Sequence, residues 1–175
     1  MVAALIALLV FVFLFLIFMT STVKIAREYE RAVIFRLGRL LDPPRGPGLF
    51  IVMPVIDRVV KVDVRTITLD IPPLEVITKD NVPVSVNAAA GFRVVDPSAA
   101  IVKVQDFTVA TSQIAQTALR SVVAEHTLEE LLSERHTINS SLQEIVAEAA
   151  AAWGIEVSSV EVKDVEALRS NVHPV

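Results

Sequence analysis

Val82 to Pro97 reads VPVSVNAAAGFRVVDP, and the pattern of the chain changes across it. Every even position from Val82 to Val94 is apolar: Val82, Val84, Val86, Ala88, Ala90, Phe92 and Val94. A period of two is the signature of a strand that buries one face. The small residues from Ala88 to Gly91 call for close packing against another element. Asp96 then supplies a helix N-cap and Pro97 a proline at the first helical position, so the helical period begins here.

Upstream, strand periodicity holds back to Val23. Arg31 to Leu37 reads as a strand ending at Gly38, and the loop Asp42-Pro43-Pro44-Arg45-Gly46-Pro47-Gly48 should force a turn, because prolines cannot continue a ladder. Leu49 to Val52 resumes an apolar strand. Further on, Val60, Val62 and Val64 share a face, but after Thr66 the apolar positions become Ile67, Leu69 and Ile71. Odd and even have exchanged, which requires a bulge or a switch between sheets near Arg65 and Thr66. Pro72-Pro73 is expected to end that strand. Glu75 to Thr78 and Val82 to Val95 then form a hairpin around Lys79-Asp80-Asn81.

Downstream, Asp106 can cap a helix running to about Glu125, with Ile114, Ala118, Leu119 and Val122 as its buried stripe. Thr127 and Glu130 have capping-box spacing and open a short helix through Leu132. A longer helix from about Glu134 carries Ile138, Leu142, Ile145, Val146, Ala149 and Trp153, and Gly154 stops it. A last strand, Ile155 to Val165, shifts phase at Ser158-Ser159, where a second bulge belongs. The class is α+β: an antiparallel, strand-rich N-terminal part, then helices, then one returning strand. It makes one domain over residues 23–165, or two lobes, 23–95 and 96–165.

Ahead of this domain, Met1 to Met19 (MVAALIALLVFVFLFLIFM) holds no charge, proline or glycine. About 20 apolar residues cross the hydrocarbon core as a helix, so residues 1–20 read as one transmembrane anchor. A cleaved signal peptide would want a positive start and a shorter apolar core, and a buried core helix would want a polar stripe. Lys24, Arg27 and Arg31 follow the run and no basic residue precedes it, so the positive-inside rule puts the domain on the cytoplasmic side of the cell membrane.

Composition narrows the function. The net charge of −4 and pI near 5.4 argue against nucleic acid. With no cysteine there is no disulfide, thiolate metal site or cysteine nucleophile. His126, His136 and His173 have no metal-ligand spacing, and no phosphate-binding glycine loop or Gly-x-Ser-x-Gly is present. We therefore expect no catalytic site, cofactor or metal.

Several motifs in a fixed order identify a resemblance. They are Glu28-Tyr29-Glu30-Arg31-Ala32-Val33-Ile34-Phe35-Arg36-Leu37-Gly38-Arg39, Gly46-Pro47-Gly48-Leu49-Phe50 through Pro54-Val55-Ile56-Asp57, and Val76-Ile77-Thr78-Lys79-Asp80-Asn81-Val82. Phe92 to Pro97, Ala110 to Gln113 through Leu119-Arg120-Ser121, Leu131 to Arg135 and Trp153-Gly154-Ile155 continue the order. The chain resembles the stomatin, prohibitin and flotillin (SPFH, band 7) superfamily over residues 23–165, and within it the prokaryotic stomatin-like (slipin) branch. The resemblance implies a membrane-attached scaffold that assembles into homo-oligomeric rings or cages, organises membrane microdomains and modulates membrane proteins. An accessory role beside a membrane-bound serine protease of the NfeD type is the alternative it implies. Members continue into a long Ala- and Glu-rich helix; here residues 166–175 stand in that place, which reads either as a fragment or as a short member lacking the coiled-coil helix.

Two groups of residues are candidates for these contacts. Leu49, Phe50, Ile51 and Val52 open an apolar run reaching Ile56, readable as a strand buried on both faces or as a segment that dips into the lipid bilayer. Glu130, Glu134 and Arg135, beside Glu129, form either a solvated helical face or a contact with a neighbouring subunit.

Overall fold

The computed structural model describes Ile6, residues 9–13, 15–17 and 22–168. Its elements are β1 (Val23–Ala26), β2 (Glu30–Arg36), β3 (Arg39–Arg45), β4 (Gly48–Ile51), β5 (Asp57–Asp63), β6 (Ile67–Ile77) and β7 (Pro83–Val94). Then follow α1 (Pro97–Val102), α2 (Phe107–Glu125), α3 (Leu128–Ser133), α4 (Arg135–Ala151) and β8 (Ile155–Ala167). Much of the expected anchor over Met1 to Met19 lies outside the described residues. Those of it that are described, Ile6, 9–13 and 15–17, are helical with side chains 45–69% exposed. No helix among the described residues is long and apolar enough to cross a membrane.

The chain divides into two compact units between Val64 and Arg65, rather than near Asp96. The phase exchange around Arg65 and Thr66 is a switch between sheets: β5 pairs with β2 in one, and β6 pairs with β7 in another. Because β7 pairs with β8 along nearly its whole length, β6 and β7 go with the helices that follow them.

Unit 1 contains a sheet of order β3-β2-β5 and a ribbon of β1 and β4. β3 runs straight through Asp42-Pro43-Pro44, where a break was expected. As an edge strand it needs no N–H from either proline on its outer side, and a register shift between Ala32 and Ile34 of β2 absorbs the extra residues. The same correction applies to Pro72-Pro73, which lie inside β6, an edge strand with a register shift between Ile71 and Leu74. Ala26, Ala32, Ile34, Phe50 and Val52 form the buried core of this unit.

In unit 2 the antiparallel sheet of order β6-β7-β8 buries one face under α2 and α4. The even residues of β7 are that buried face, and Phe92 meets Phe107 edge to face at 6.3 Å. Asp96 and Asp106 cap α1 and α2 as the sequence requires, each accepting from two backbone N–H groups. Opposite β7, Ser158 is passed over in the β8 register, which is the second bulge. Gln143 of α4 donates to the carbonyl of Ser158 at 3.0 Å and Asn139 accepts from the N–H of Val162 at 3.1 Å, so one helix face satisfies a backbone group at each register shift of β8. Gly154 (φ 71°) ends the helical segment under close contact: a Cβ there would lie 2.5 Å from that of Asp96.

Candidate functional site

The register of the β1–β4 ribbon decides how the apolar run at Leu49 is used. Val23 lies opposite Ile51 and Ile25 opposite Leu49, while Lys24 faces Phe50 and Ala26 faces Gly48. Directly opposed residues share a face, and the odd ones face out: Leu49 is 74% exposed and Ile51 76%. Phe50 and Val52 are buried in the core of unit 1. Of the four residues singled out in the sequence, then, Leu49 and Ile51 are on the surface and Phe50 and Val52 are not. Neither the strand buried on both faces nor the segment dipping as a whole describes this; it is an alternating strand, and its alternation is masked because both sets are apolar.

Four further residues extend the outward apolar surface: Val23, Ile25, Met53 and Val55, the last 88% exposed. Thr22, Ile51, Met53, Pro54, Val55 and Ile56 line an apolar cavity of about 310 Å³. Sequence reading missed Val23, Ile25, Met53 and Val55. The signal available for the first two was the parity they share with Leu49 and Ile51 once the two segments are paired.

The loop that presents Met53 and Val55 is held by charge. Asp57, its side chain wholly covered, accepts from Arg36 Nε at 2.8 Å and Nη2 at 2.9 Å, and from the Met53 N–H at 3.0 Å. Hydrogen bonds from Arg36, then from Met53, hold the Asp57 carboxyl at about 2, below its ordinary 3.8. The ribbon is tied down likewise: Lys61 Nζ donates to the Ile25 carbonyl at 2.7 Å and sits 3.3 Å from Glu30. Glu30 is held below the ordinary carboxylate range, first by the Arg27 N–H and further by Lys61.

In unit 2, Glu130 belongs to a complete capping box. Its Oε2 accepts from the Thr127 N–H at 2.9 Å, and its own N–H donates back to the Thr127 hydroxyl at 3.3 Å. That backbone hydrogen bond, more than the nearby His126 and Lys79 charges, keeps its carboxyl below the usual range. Asp80, on the β6–β7 hairpin, accepts from the Leu128 N–H at 3.4 Å, and Lys79 N–H donates to the His126 carbonyl at 3.0 Å. The hairpin tip is therefore fastened to the start of α3. Glu134 and Arg135 are exposed at the junction of α3 and α4, and Glu134 makes no side-chain capping bond.

The α4 stripe departs from expectation on one side. Ile138, Leu142, Val146 and Ala150 form its buried row, whereas Ile145 is 43% exposed, Ala149 is exposed and Trp153 half-buried. With Ile114 and Ala118 of α2 these line a groove of about 610 Å³ between the two helices. The row 145, 149, 153 runs parallel to the buried row one position earlier, about 100° around the helix, so it sits beside the core row.

Against known families, the SPFH domain / Band 7 model matches residues 24–172. The chain belongs to the SPFH domain / Band 7 family. It is 58% identical over 151 residues to a stomatin homolog of Pyrococcus horikoshii, a match covering 86% of this chain and 56% of that protein. It is 42% identical over 158 residues to Stomatin-1 of Caenorhabditis elegans, covering 89% of this chain and 48% of that one. Stomatin-like protein 3 of Mus musculus is 47% identical over 143 residues, 81% of this chain and 50% of the relative. The chain thus spans about half the length of these curated relatives. Its SPFH domain is stomatin-like, and its α+β content agrees with the class read from periodicity.

Proposed function

We propose that this stomatin-like SPFH protein is a membrane-anchored, oligomeric scaffold, with unit 1 resting on the bilayer. The observation that carries the reading is the outward apolar face of Val23, Ile25, Leu49, Ile51, Met53 and Val55, in a unit whose first strand follows the uncharged N-terminal run almost without a linker. Monomeric soluble proteins seldom leave contiguous patches of this kind uncovered. Side chains 9–13 are exposed on consecutive positions, hence on all sides of the helix, as a lipid-facing helix would have them. The domain lies on the cytoplasmic side, following Lys24, Arg27 and Arg31. Glu134 and Arg135 belong to the lateral contact between copies, which must be heterologous and closing if a ring forms.

Ile51→Cys labelled with an environment-sensitive dye tests the lipid face, since the chain has no other cysteine. In vesicles carrying the full chain, emission should shift to the blue and be quenched by brominated acyl chains. A label at Val109, exposed on α2, should stay water-like. Equal, water-like emission at both positions rejects the reading.

A second reading, an accessory subunit of a membrane-bound serine protease, draws on the α2–α4 groove, whose apolar lining would suit a partner's side chains. Isolation in mild detergent separates the two: large homo-oligomers favour the scaffold, a stoichiometric protease complex favours the subunit.

A further inference from the structure

The end of unit 1 next to the apolar face carries a feature that resting on lipid does not by itself require. β2 and β3 are joined by a two-residue turn, Leu37-Gly38, in which both residues take positive φ (49° and 82°). Such a turn favours Asn-Gly, and a bulky residue with positive φ is an outlier. Leu37 is also 78% exposed. The chain therefore carries a leucine where both backbone and solvent disfavour one, which points from an observed outlier to a use. The Leu37 N–H donates to the Ile56 carbonyl at 3.0 Å, so this tip is fastened to the loop that presents Met53 and Val55.

Around the two tips the charges are basic. Arg36 lies opposite both Arg39 of β3 and Asp57 of β5, and Phe35 lies opposite Arg58. Neighbouring residues of a strand point to opposite faces, so Arg39 and Arg58 flank the tips on the two sides of the sheet. Asp57 is committed to Arg36. Arg39 and Arg58 are exposed, and neither makes an ion pair among the described residues. Three arginines against one carboxylate leave a positive collar directly behind two apolar tips.

We propose that this end of unit 1 is an anionic-lipid site, in which Leu37 and Val55 enter the acyl boundary and Arg39 and Arg58 take the headgroup phosphates. The geometry suits the ligand: a guanidinium matches phosphate with two parallel hydrogen bonds, and apolar tips below a basic collar follow the layering of an anionic leaflet. The proposal rests on the apolar face of unit 1 lying against lipid, and adds which lipid that face selects.

The test uses the full chain with a dye at Val55→Cys, reconstituted into vesicles of phosphatidylcholine alone or doped with phosphatidylserine. Emission should shift further to the blue with phosphatidylserine, and high salt should remove the gain. Each of Arg39→Gln and Arg58→Gln should lower the inserted fraction about fivefold in the doped vesicles; Arg39→Lys and Arg58→Lys, which keep the charge and lose the two-bond fit, should fall between the glutamine variants and the parent, and Arg120→Gln, on α2, should leave it unchanged. Leu37→Asn suits the turn better, folds at least as well, and should still reduce insertion. Equal emission in both vesicles, or no effect of the glutamine variants or of Leu37→Asn, overturns the proposal while blue emission at Ile51→Cys preserves the apolar-face reading. Water-like emission at both 51 and 55 overturns both. If inorganic phosphate abolishes the gain at constant ionic strength, the arginines hold a free anion and the lipid assignment falls.

Discussion

In unit 2 the alternating apolar residues of β6, β7 and β8 lie under α2 and α4; in unit 1 the outward residues of β1 and β4 alternate as regularly and have no such roof among the described residues. One alternation therefore serves folding and the other is left for something outside the unit. A direct way to break the comparison is a pair of truncations. Leu142→Ala, at a position 1% exposed, should cost about 2–5 kcal/mol. Leu49→Ala, at 74% exposed, should stay within about 0.5 kcal/mol in stability while weakening lipid contact. Denaturation midpoints of the full chain in mild detergent measure both. Comparable costs would mean that protein covers the ribbon after all.

The units also differ in how their loops are secured: backbone hydrogen bonds fasten the β6–β7 hairpin in unit 2, and an ion pair acts in unit 1. Asp57 holds the loop at Met53 through an ion pair, and its carboxyl is lowered to about 2 from 3.8. A depressed carboxylate stabilises the fold above its unfolded value and loses that contribution as pH falls through the folded one. The loss thus belongs to the window from about 4 down to about 2, with Glu30 adding in the same direction. Hydrogen exchange at the β2 and β5 amides, corrected for the intrinsic rate at each pH, should accelerate within that window. Asp57→Asn should accelerate it already at neutral pH, because Arg36 loses its partner, and should flatten the pH dependence.

How much of this was legible in the sequence follows from where the deciding interaction lies. Even-numbered apolar residues in β7, the Asp96 and Asp106 caps and the Thr127–Glu130 box involve neighbours within a few positions, and all appeared where the sequence put them. The odd-even exchange at Arg65 was visible, and pairing partners alone identified it as a change of sheet. Pro43-Pro44 and Pro72-Pro73 were misjudged because a proline's effect depends on whether its strand lies at an edge, which no local pattern records. Eight apolar residues from Leu49 to Ile56 hid an alternation that only β1 reveals. The clamp between Arg36 and Asp57, 21 residues apart, left no mark in the local pattern.

A smaller effect sharpens the role of the acidic group in unit 2. If Glu130 is spent on the capping box, Thr127→Ala should cost about 1 kcal/mol by removing one half of it. Glu130→Gln, which keeps an acceptor for the Thr127 N–H, should cost less. Thermal unfolding in detergent checks both, and neither should alter assembly size if Glu130 acts within its own chain.

The smallest expected effect on folding separates Glu134 from Glu130. Glu134 is exposed, forms no capping bond and stands at the α3–α4 junction, so charge reversal to lysine should move stability by no more than about 0.5 kcal/mol. Like charges placed across an interface cost several times that. If Glu134 faces a basic group of the next copy, Glu134→Lys should therefore reduce assembly size while leaving the melting temperature alone, and Arg135→Glu should do the same from the other sign. Light scattering of the full chain in detergent distinguishes the cases. Unchanged size in both variants would return Glu134 and Arg135 to the solvated surface and leave the outward apolar side of unit 1 as the candidate contact.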